Sequence, residues 1–376
     1  MKFKSAAAMA LGLVMVGGVI KADAPAWYAN TTVHGYVDAN YQDNFNGQQP
    51  VGRVFDTTAQ MFTVNGAKLA IANSDTTTAT SGEIDLLYGP MAAAYNANGL
   101  ATVTGPAKNV GYVASLAIEQ AFLTQVFGPV TFKLGKYGTF VGNEVTDTTG
   151  NFNYSRSLLF GNEPFYNTGL EATYAITSTF SAMGYMGDGN SVDSGNPDHP
   201  DFGLQLVYTG VKNLSLTGTY YVTSAPAPAA PNYAISTTQV GAFSTNQEML
   251  NFVGSYQAMA NLAVVGEYLY IDNPVPSDAS QTLNLSTKMQ GYALYLDYQT
   301  PIANLKIDPR FEQWFQPDAG NQIDEYTITA KYAMGPITHY LEFRDDNNAN
   351  KIYSTGVNAS MSTTQNTLTY AATYAF

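Results

Sequence analysis

The sequence predicts an all-β protein, a transmembrane antiparallel β-barrel of about sixteen strands with long external loops and short periplasmic turns. Alternating segments with one apolar face recur along the chain, and long and short connections alternate between them. The last segment, residues 366–376, has one face of large side chains and one of small ones. About ten residues suffice to cross a bilayer when a strand is tilted. Taken alone, this segment would also fit an edge strand of a soluble sandwich. Its large side chains are Leu368, Tyr370, Tyr374 and Phe376.

The first 26 residues have the layout of a secretory signal peptide. Lys2 and Lys4 precede an apolar run at residues 6–20, and small residues follow. The run is too short to cross a membrane as a helix. Cleavage is expected between residues 22 and 26, and Pro25 disfavours a cut directly before it. Residues 27–376 then form the barrel. The chain has no cysteine, so neither a lipid anchor nor a disulfide is expected.

The composition favours a membrane barrel and excludes some partners. Charged residues make up 12% of the chain, whereas soluble domains are usually about one quarter charged. Tyrosine is abundant, with 27 copies, and suits girdles at the membrane interface. A tyrosine-rich soluble β protein remains the alternative. The formal net charge of −13 argues against nucleic acid as a partner.

Sixteen segments alternate well enough to be predicted as strands. The weakest are 61–71 and 83–88, and Pro309 predicts a bulge or a weaker strand where it falls. The connections give eight long loops on one side and seven shorter turns on the other, and the first strand can pair with the last to close the edge. The segments are 33–45, 61–71, 83–88, 116–127, 130–137, 166–176, 180–186, 202–208, 214–223, 250–256, 262–270, 290–298, 305–315, 326–332, 337–343 and 366–376.

Two regions of the chain resemble a known family. The residues that carry the resemblance are His34 to Asp38, Asn44, Phe45, Arg53, Lys133 to Lys136, Gly142 to Glu144, Asn151 to Ser157, Pro164, Thr168 and Gly169. These residues resemble the OmpL-like β-barrel porins of the bacterial outer membrane, most clearly over residues 33–70 and 131–175. This resemblance implies a water-filled channel for small hydrophilic solutes and ions, and it defines no particular solute.

The third long loop, residues 138–164, is the predicted constriction. In general porins the loop at this place folds into the lumen, and here four aromatic residues could anchor it to the inner wall. Its charged residues are then expected to face water. The alternatives are an external loop with solvated charges and, for the arginine, a structural ion pair. The constriction candidates are Glu144, Asp147, Arg156 and Glu163.

Other charged residues fall on the polar faces of predicted strands and are candidates for the lumen wall. Their signs are balanced, so we expect a modest preference for cations or neutral solutes, set by the loop rather than by the wall. The wall candidates are Lys133, Glu171, Glu267, Lys306, Asp308, Arg310, Glu312 and Lys331.

The chain ends on an aromatic residue, which is typical of barrels read by the outer-membrane assembly machinery. Tyr374 and Phe376 are therefore the predicted assembly signal. The expected partners are outer-membrane lipid, the barrel assembly machinery and small hydrophilic solutes or ions, and a homo-oligomer is left open.

The sequence does not favour an enzyme. His34, His199 and His339 fall in separate parts of the predicted barrel, without a catalytic arrangement of serine or acid. His199 lies among aspartates, but their spacing fits no defined cation loop. No cofactor or metal is therefore expected. Two classes remain: a passive diffusion channel, and a structural or adhesive outer-membrane barrel without significant conductance.

Overall fold

A computed structural model describes residues 30–96, 115–188, 200–223, 247–272, 288–317, 320–355 and 360–376. Sixteen antiparallel strands form one closed barrel, as predicted, and the first strand pairs with the last. The predicted signal peptide lies outside the described residues. Within these ranges, no helix is long and apolar enough to cross a membrane.

The barrel strands are β1 to β15 and β18, while β16 and β17 form a separate two-stranded sheet. One short helix, α1 (Pro90–Asn96), follows β3. The strands are β1 (Thr31–Asn44), β2 (Phe62–Asp75), β3 (Thr80–Gly89), β4 (Ser115–Phe127), β5 (Val130–Gly138), β6 (Tyr166–Ala175), β7 (Phe180–Gly187), β8 (Asp201–Tyr208), β9 (Leu214–Thr223), β10 (Gln247–Met259), β11 (Leu262–Asp272), β12 (Lys288–Gln299), β13 (Leu305–Gln316), β14 (Asn321–Met334), β15 (Ile337–Asn348), β16 (Tyr353–Ser354), β17 (Met361–Ser362) and β18 (Thr364–Ala375).

The last strand shows how the alternation positions side chains. Tyr370 and Tyr374 are about half exposed on the outer surface, whereas Thr369 and Thr373 are buried on the inner one. Beyond the strand, Phe376 exchanges two backbone hydrogen bonds with Gly35, each 3.0 Å long. The seam between β18 and β1 is therefore closed up to the last residue.

The connections differ from the prediction in one place. Residues 317–320 join β13 to β14 on the side of the long loops, although this connection has only four residues. The prediction of eight long loops is therefore wrong there, because both strands extend further than their alternation indicates. Pro309 causes no bulge: it pairs in regular register with Ile328 of β14. Its ring nitrogen lacks a hydrogen, which is consistent with the absence of pairing to β12 at that position.

Candidate channel constriction

The connection between β5 and β6, residues 139–165, crosses the lumen and is called loop L3. At one end, the carbonyl of Phe140 accepts a 2.6 Å hydrogen bond from Gln205 on β8. Further along, the Tyr154 hydroxyl donates to Asp38 on β1 at 3.1 Å. Strands β1 and β8 lie on opposite sides of the closed barrel. The prediction that this loop folds inward is therefore correct.

Carboxylates of the barrel wall hold the backbone of loop L3. Glu342 on β15 accepts hydrogen bonds from the N–H groups of Tyr154 and Ser155, at 2.7 and 3.0 Å. Glu312 on β13 accepts from the N–H groups of Leu158 and Leu159, at 2.8 and 3.4 Å. Hydrogen bonds to a charged acceptor are stronger than neutral ones, so they fix the path of the loop.

Arg310 on β13 is fully buried and binds a backbone carbonyl group in the same part of loop L3. Its guanidinium donates to the Ser155 carbonyl at 2.7 Å and pairs with Glu144 at 3.2 Å and with Glu325 at 3.1 Å. The neighbouring Arg344 donates to the Arg156 carbonyl at 2.5 Å. Loop L3 is thus bound through both its N–H groups and its carbonyl groups.

A second ionic cluster holds the opposite edge of loop L3. Asp147 lies 2.7 Å from the ammonium group of Lys68 on β2. The same ammonium group lies 2.8 Å from Asp85 and 3.2 Å from Glu119. One cation therefore faces three carboxylates, so the formal charge of this cluster is negative.

The base of loop L3 meets β10 and β11 in a polar junction. The N–H of Gly142 donates to Asn251 at 3.3 Å, and the N–H of Asn143 donates to Glu267 at 3.1 Å. The Asn251 amide donates to both Glu163 and Glu267, at 3.2 and 2.8 Å. The beginning and the end of the loop therefore contact the wall at the same place, which we call the base junction (Gly142, Asn143, Glu163, Asn251 and Glu267).

The four constriction candidates occupy different environments. Glu144, Arg156 and Glu163 are buried, so the expectation that their charges face water is wrong. The Arg156 guanidinium donates to the carbonyls of Val145, Tyr154 and Thr146, at 2.9, 2.6 and 2.6 Å, and so ties the loop to itself. Only Asp147 is partly exposed.

The eight wall candidates divide into two groups. Glu267, Arg310 and Glu312 are buried against loop L3, as described above. The others form ion pairs nearer the short turns, where the lysines are more exposed than their partners, and Lys331 also donates to the carbonyls of Asn151 and Phe152 of loop L3. These pairs are Lys133 with Glu171 at 3.3 Å, Lys306 with Asp297 at 2.8 Å and Lys331 with Asp308 at 3.0 Å.

The first loop, residues 45–61, also folds inward, which the sequence did not indicate. Arg53 pairs with Asp56 at 2.6 Å and with Asp346 of β15 at 2.9 Å. Phe55 packs against Phe160 and Phe165 of loop L3, with ring centroids 5.9 and 5.4 Å apart. Helix α1 joins this cluster through buried residues that include Met91 and Tyr95. The part of the lumen nearest the long loops is thus narrowed by three connections.

One edge of loop L3 remains accessible. Val145 is 45% exposed, and Thr149 and Gly150 are also exposed, whereas residues 153–165 are buried. Among the described residues of loop L3, Asp147 is the partly exposed residue that carries a charge. The described residues include no group of three or more His, Cys, Asp or Glu side chains placed to hold a metal ion.

Sequence reasoning missed Lys68, Glu342 and Arg344. Each occupies an inward position on its strand, so the alternation itself could have found them: Glu342 and Arg344 alternate with the outward Leu341 and Phe343. Arg53 and Asp56 carry no such signal, because they lie in a loop.

The fold is a closed sixteen-stranded barrel with an aromatic outer surface, a charged interior and a loop folded into the lumen. This is the architecture of an outer-membrane porin. The chain matches, over residues 30–376, the sequence profile of the family described as "Putative beta-barrel porin-2, OmpL-like", and it belongs to that family. It is a porin of the bacterial outer membrane, which forms a channel for passive diffusion. The family and fold are those of a non-enzymatic channel.

Solved structures show the same fold at low sequence identity. The anion-selective porin from Comamonas acidovorans aligns with a TM-score of 0.59 at 11% identity, over 92% of this chain and 99% of that one. A loop L8 deletion mutant of OmpT from Vibrio cholerae gives 0.58 at 10% identity, over 92% and 99%. Salmonella typhi OmpF in complex with daunomycin gives 0.55 at 13% identity, over 92% and 97%. Among curated proteins, none matches this sequence significantly.

Proposed function

We propose that the channel admits small hydrophilic solutes and ions, and that the exposed edge of loop L3 is its constriction. The observation that carries this proposal is the contrast within the loop. Residues 153–165 are buried, and the barrel wall binds their backbone at Tyr154 and Leu158, whereas Val145 and Thr149 are exposed. Solutes pass beside this edge because the rest of the loop is packed.

A pair of bulky substitutions tests the location of the path. Val145→Trp should lower single-channel conductance in planar bilayers, because the larger side chain narrows the water-filled space. Val33→Trp is the matched control, since Val33 is similarly exposed, at 56%, but lies on the outer surface of β1. Equal conductance of both variants and the wild-type protein would place the path elsewhere.

The proposed selectivity is weak and favours cations or neutral solutes. Asp147 lies at the exposed edge, and the cluster around Lys68 has more carboxylates than ammonium groups. The partly exposed lysines nearer the short turns act in the opposite direction, although each has a carboxylate partner. Anion selectivity, which the name of the Comamonas acidovorans porin states for that protein, would require these lysines to dominate.

A second reading, a structural or adhesive barrel with little conductance, has one observation in its favour. The first loop, α1 and loop L3 pack against one another and are largely buried inside the barrel near the long loops. Conductance of the purified protein separates the two readings directly, since a barrel without a path gives no stepwise current.

We also propose that copies of the chain associate through the outer surface of β1 to β3, while the remaining surface contacts lipid. Outward tyrosines lie near the short turns in six of the other barrel strands and are typical of a membrane interface. The described outward residues of β1 to β3 at that level are not aromatic, and they include the exposed Val33, Ile71 and Ile84. The mass of the detergent-solubilised protein, measured by light scattering, tests this; a monomer would contradict it. The six tyrosines are Tyr174, Tyr208, Tyr256, Tyr298, Tyr332 and Tyr374.

A further inference from the structure

The base junction contains two carboxyl groups in direct contact. Glu163 of loop L3 and Glu267 of β11 lie within hydrogen-bonding distance of each other. Both are at least nine-tenths buried, and both accept from the same Asn251 amide group. Two buried carboxylates in contact repel strongly, so this arrangement requires a neutralising partner.

In the described part of the chain, no lysine or arginine forms a salt bridge with Glu163 itself. The charged groups that face it are Glu267, Glu144 and Glu312, while Arg310 pairs with Glu144, Glu312 and Glu325. The hydroxyl of Tyr295 on β12 donates to Glu267 at 3.2 Å. Among the described residues, no donor reaches the buried Oε2 atom of Glu163.

We propose that Glu163 and Glu267 share one proton, and that this carboxyl–carboxylate pair is an acid-stabilised latch that fastens the base of loop L3 to β11. The protonated Glu163 donates its proton in a hydrogen bond to Glu267. The free carboxylate of Glu267 still accepts from Asn143 and Asn251, so every hydrogen bond of the junction is satisfied in this state. Loss of the proton at alkaline pH leaves two adjacent anions and separates the loop arm from the wall.

Burial, and then the neighbouring carboxyl of Glu267, raise the pKa of Glu163 well above that of an ordinary glutamate. The folded protein therefore binds the proton more tightly than the unfolded chain does. The contribution to stability is fully present below the ordinary glutamate pKa. It declines as the pH rises from there and is lost above the raised pKa of the folded state.

Glu163→Gln tests the latch, because an amide donates to Glu267 without titrating. The folded, fast-migrating band of the wild-type protein should be lost at a lower temperature at about pH 9 than at about pH 6. This shift should be clearly smaller in Glu163→Gln. Asp56→Asn, which removes a carboxylate paired with Arg53 outside the junction, should keep the wild-type response. Equal shifts in wild type and Glu163→Gln would overturn the inference.

An infrared difference spectrum gives a second readout that depends on neither stability nor transport. At neutral pH, the wild-type protein should show a protonated carboxyl band that Glu163→Gln lacks. The absence of such a band in folded wild-type protein would also overturn the proposal.

The effect on transport rests on the proposed role of loop L3 as the constriction. Wild-type conductance should then change between about pH 6 and about pH 9, and this change should be lost in Glu163→Gln. If the band and the stability shift behave as expected but conductance does not respond, the latch stands and the proposed constriction is wrong.

Discussion

The ammonium nitrogen of Lys68 on β2 lies 2.7 Å from Oδ2 of Asp147 and fixes the exposed edge of loop L3 to one side of the barrel. The base junction holds the loop on β10 and β11, almost directly across the lumen. Loop L3 is therefore attached to the barrel wall on both sides of the lumen.

Asp147→Asn should reduce any preference for cations. The substitution removes the charge at the exposed edge and leaves Lys68 with Asp85 and Glu119 as its remaining partners. The reversal potential in a salt gradient should therefore move toward that of an anion-preferring channel. An unchanged reversal potential in folded protein would show that Asp147 does not influence the narrowest point.

Arg310→Met should destabilise the protein and loosen loop L3. Removing a buried arginine leaves Glu325 and Glu144 without this partner, and such changes cost about 3–5 kcal/mol. Unfolding in denaturant should detect the loss, and single-channel currents should become noisier.

Lys306→Met is the matched control for that substitution. Its pair with Asp297 is 2.8 Å long, but the lysine side chain is 36% exposed, so we expect a change of about 1 kcal/mol or less. Similar losses in both variants would mean that the contacts of Arg310 with loop L3 contribute little.

Gly142→Ala should disturb the base junction. Gly142 has a φ of +86°, and an added Cβ would clash with Oε2 of Glu163. We expect a loss of about 1–3 kcal/mol in unfolding free energy. At Gly184, on the outer surface, an added Cβ meets nothing within 4 Å, so Gly184→Ala should retain wild-type stability. Equal stability of the two variants would argue against a tightly packed junction.

Deletion of Phe376 should lower the amount of folded protein in the outer membrane, if the assembly machinery reads the terminal aromatic residue. Deletion also removes two backbone hydrogen bonds to Gly35, so a second variant is needed to separate the loss of the ring from the loss of these bonds. Phe376→Ala keeps these bonds and removes only the ring. Folded protein can be measured by heat-modifiable migration; normal levels in Phe376→Ala would assign the effect of deletion to the seam.

The strands could be predicted because the signal for each strand lies within its own sequence. Outward residues must be compatible with lipid, whereas the residues next to them in the chain face the interior of the barrel. Thus Lys306, Asp308, Arg310 and Glu312 were correctly placed on one face of β13 despite Pro309. The environment of the loops could not be predicted in this way. From the sequence alone, Glu144 is predicted to be a solvated acid in a loop. Its partner Arg310 lies 166 residues away in the chain, and only the closed barrel brings the two side chains together.

The attachment of loop L3 through its own main chain has an evolutionary consequence. Glu342 and Glu312 bind N–H groups, which every residue except proline possesses, so the side chains at the accessible edge are not needed for these bonds. On the proposed function, substitutions at Val145 or Thr149 would alter what passes through the pore while the loop keeps its course. Permeability could thus change through single side chains at this edge while the fold of the barrel stays the same.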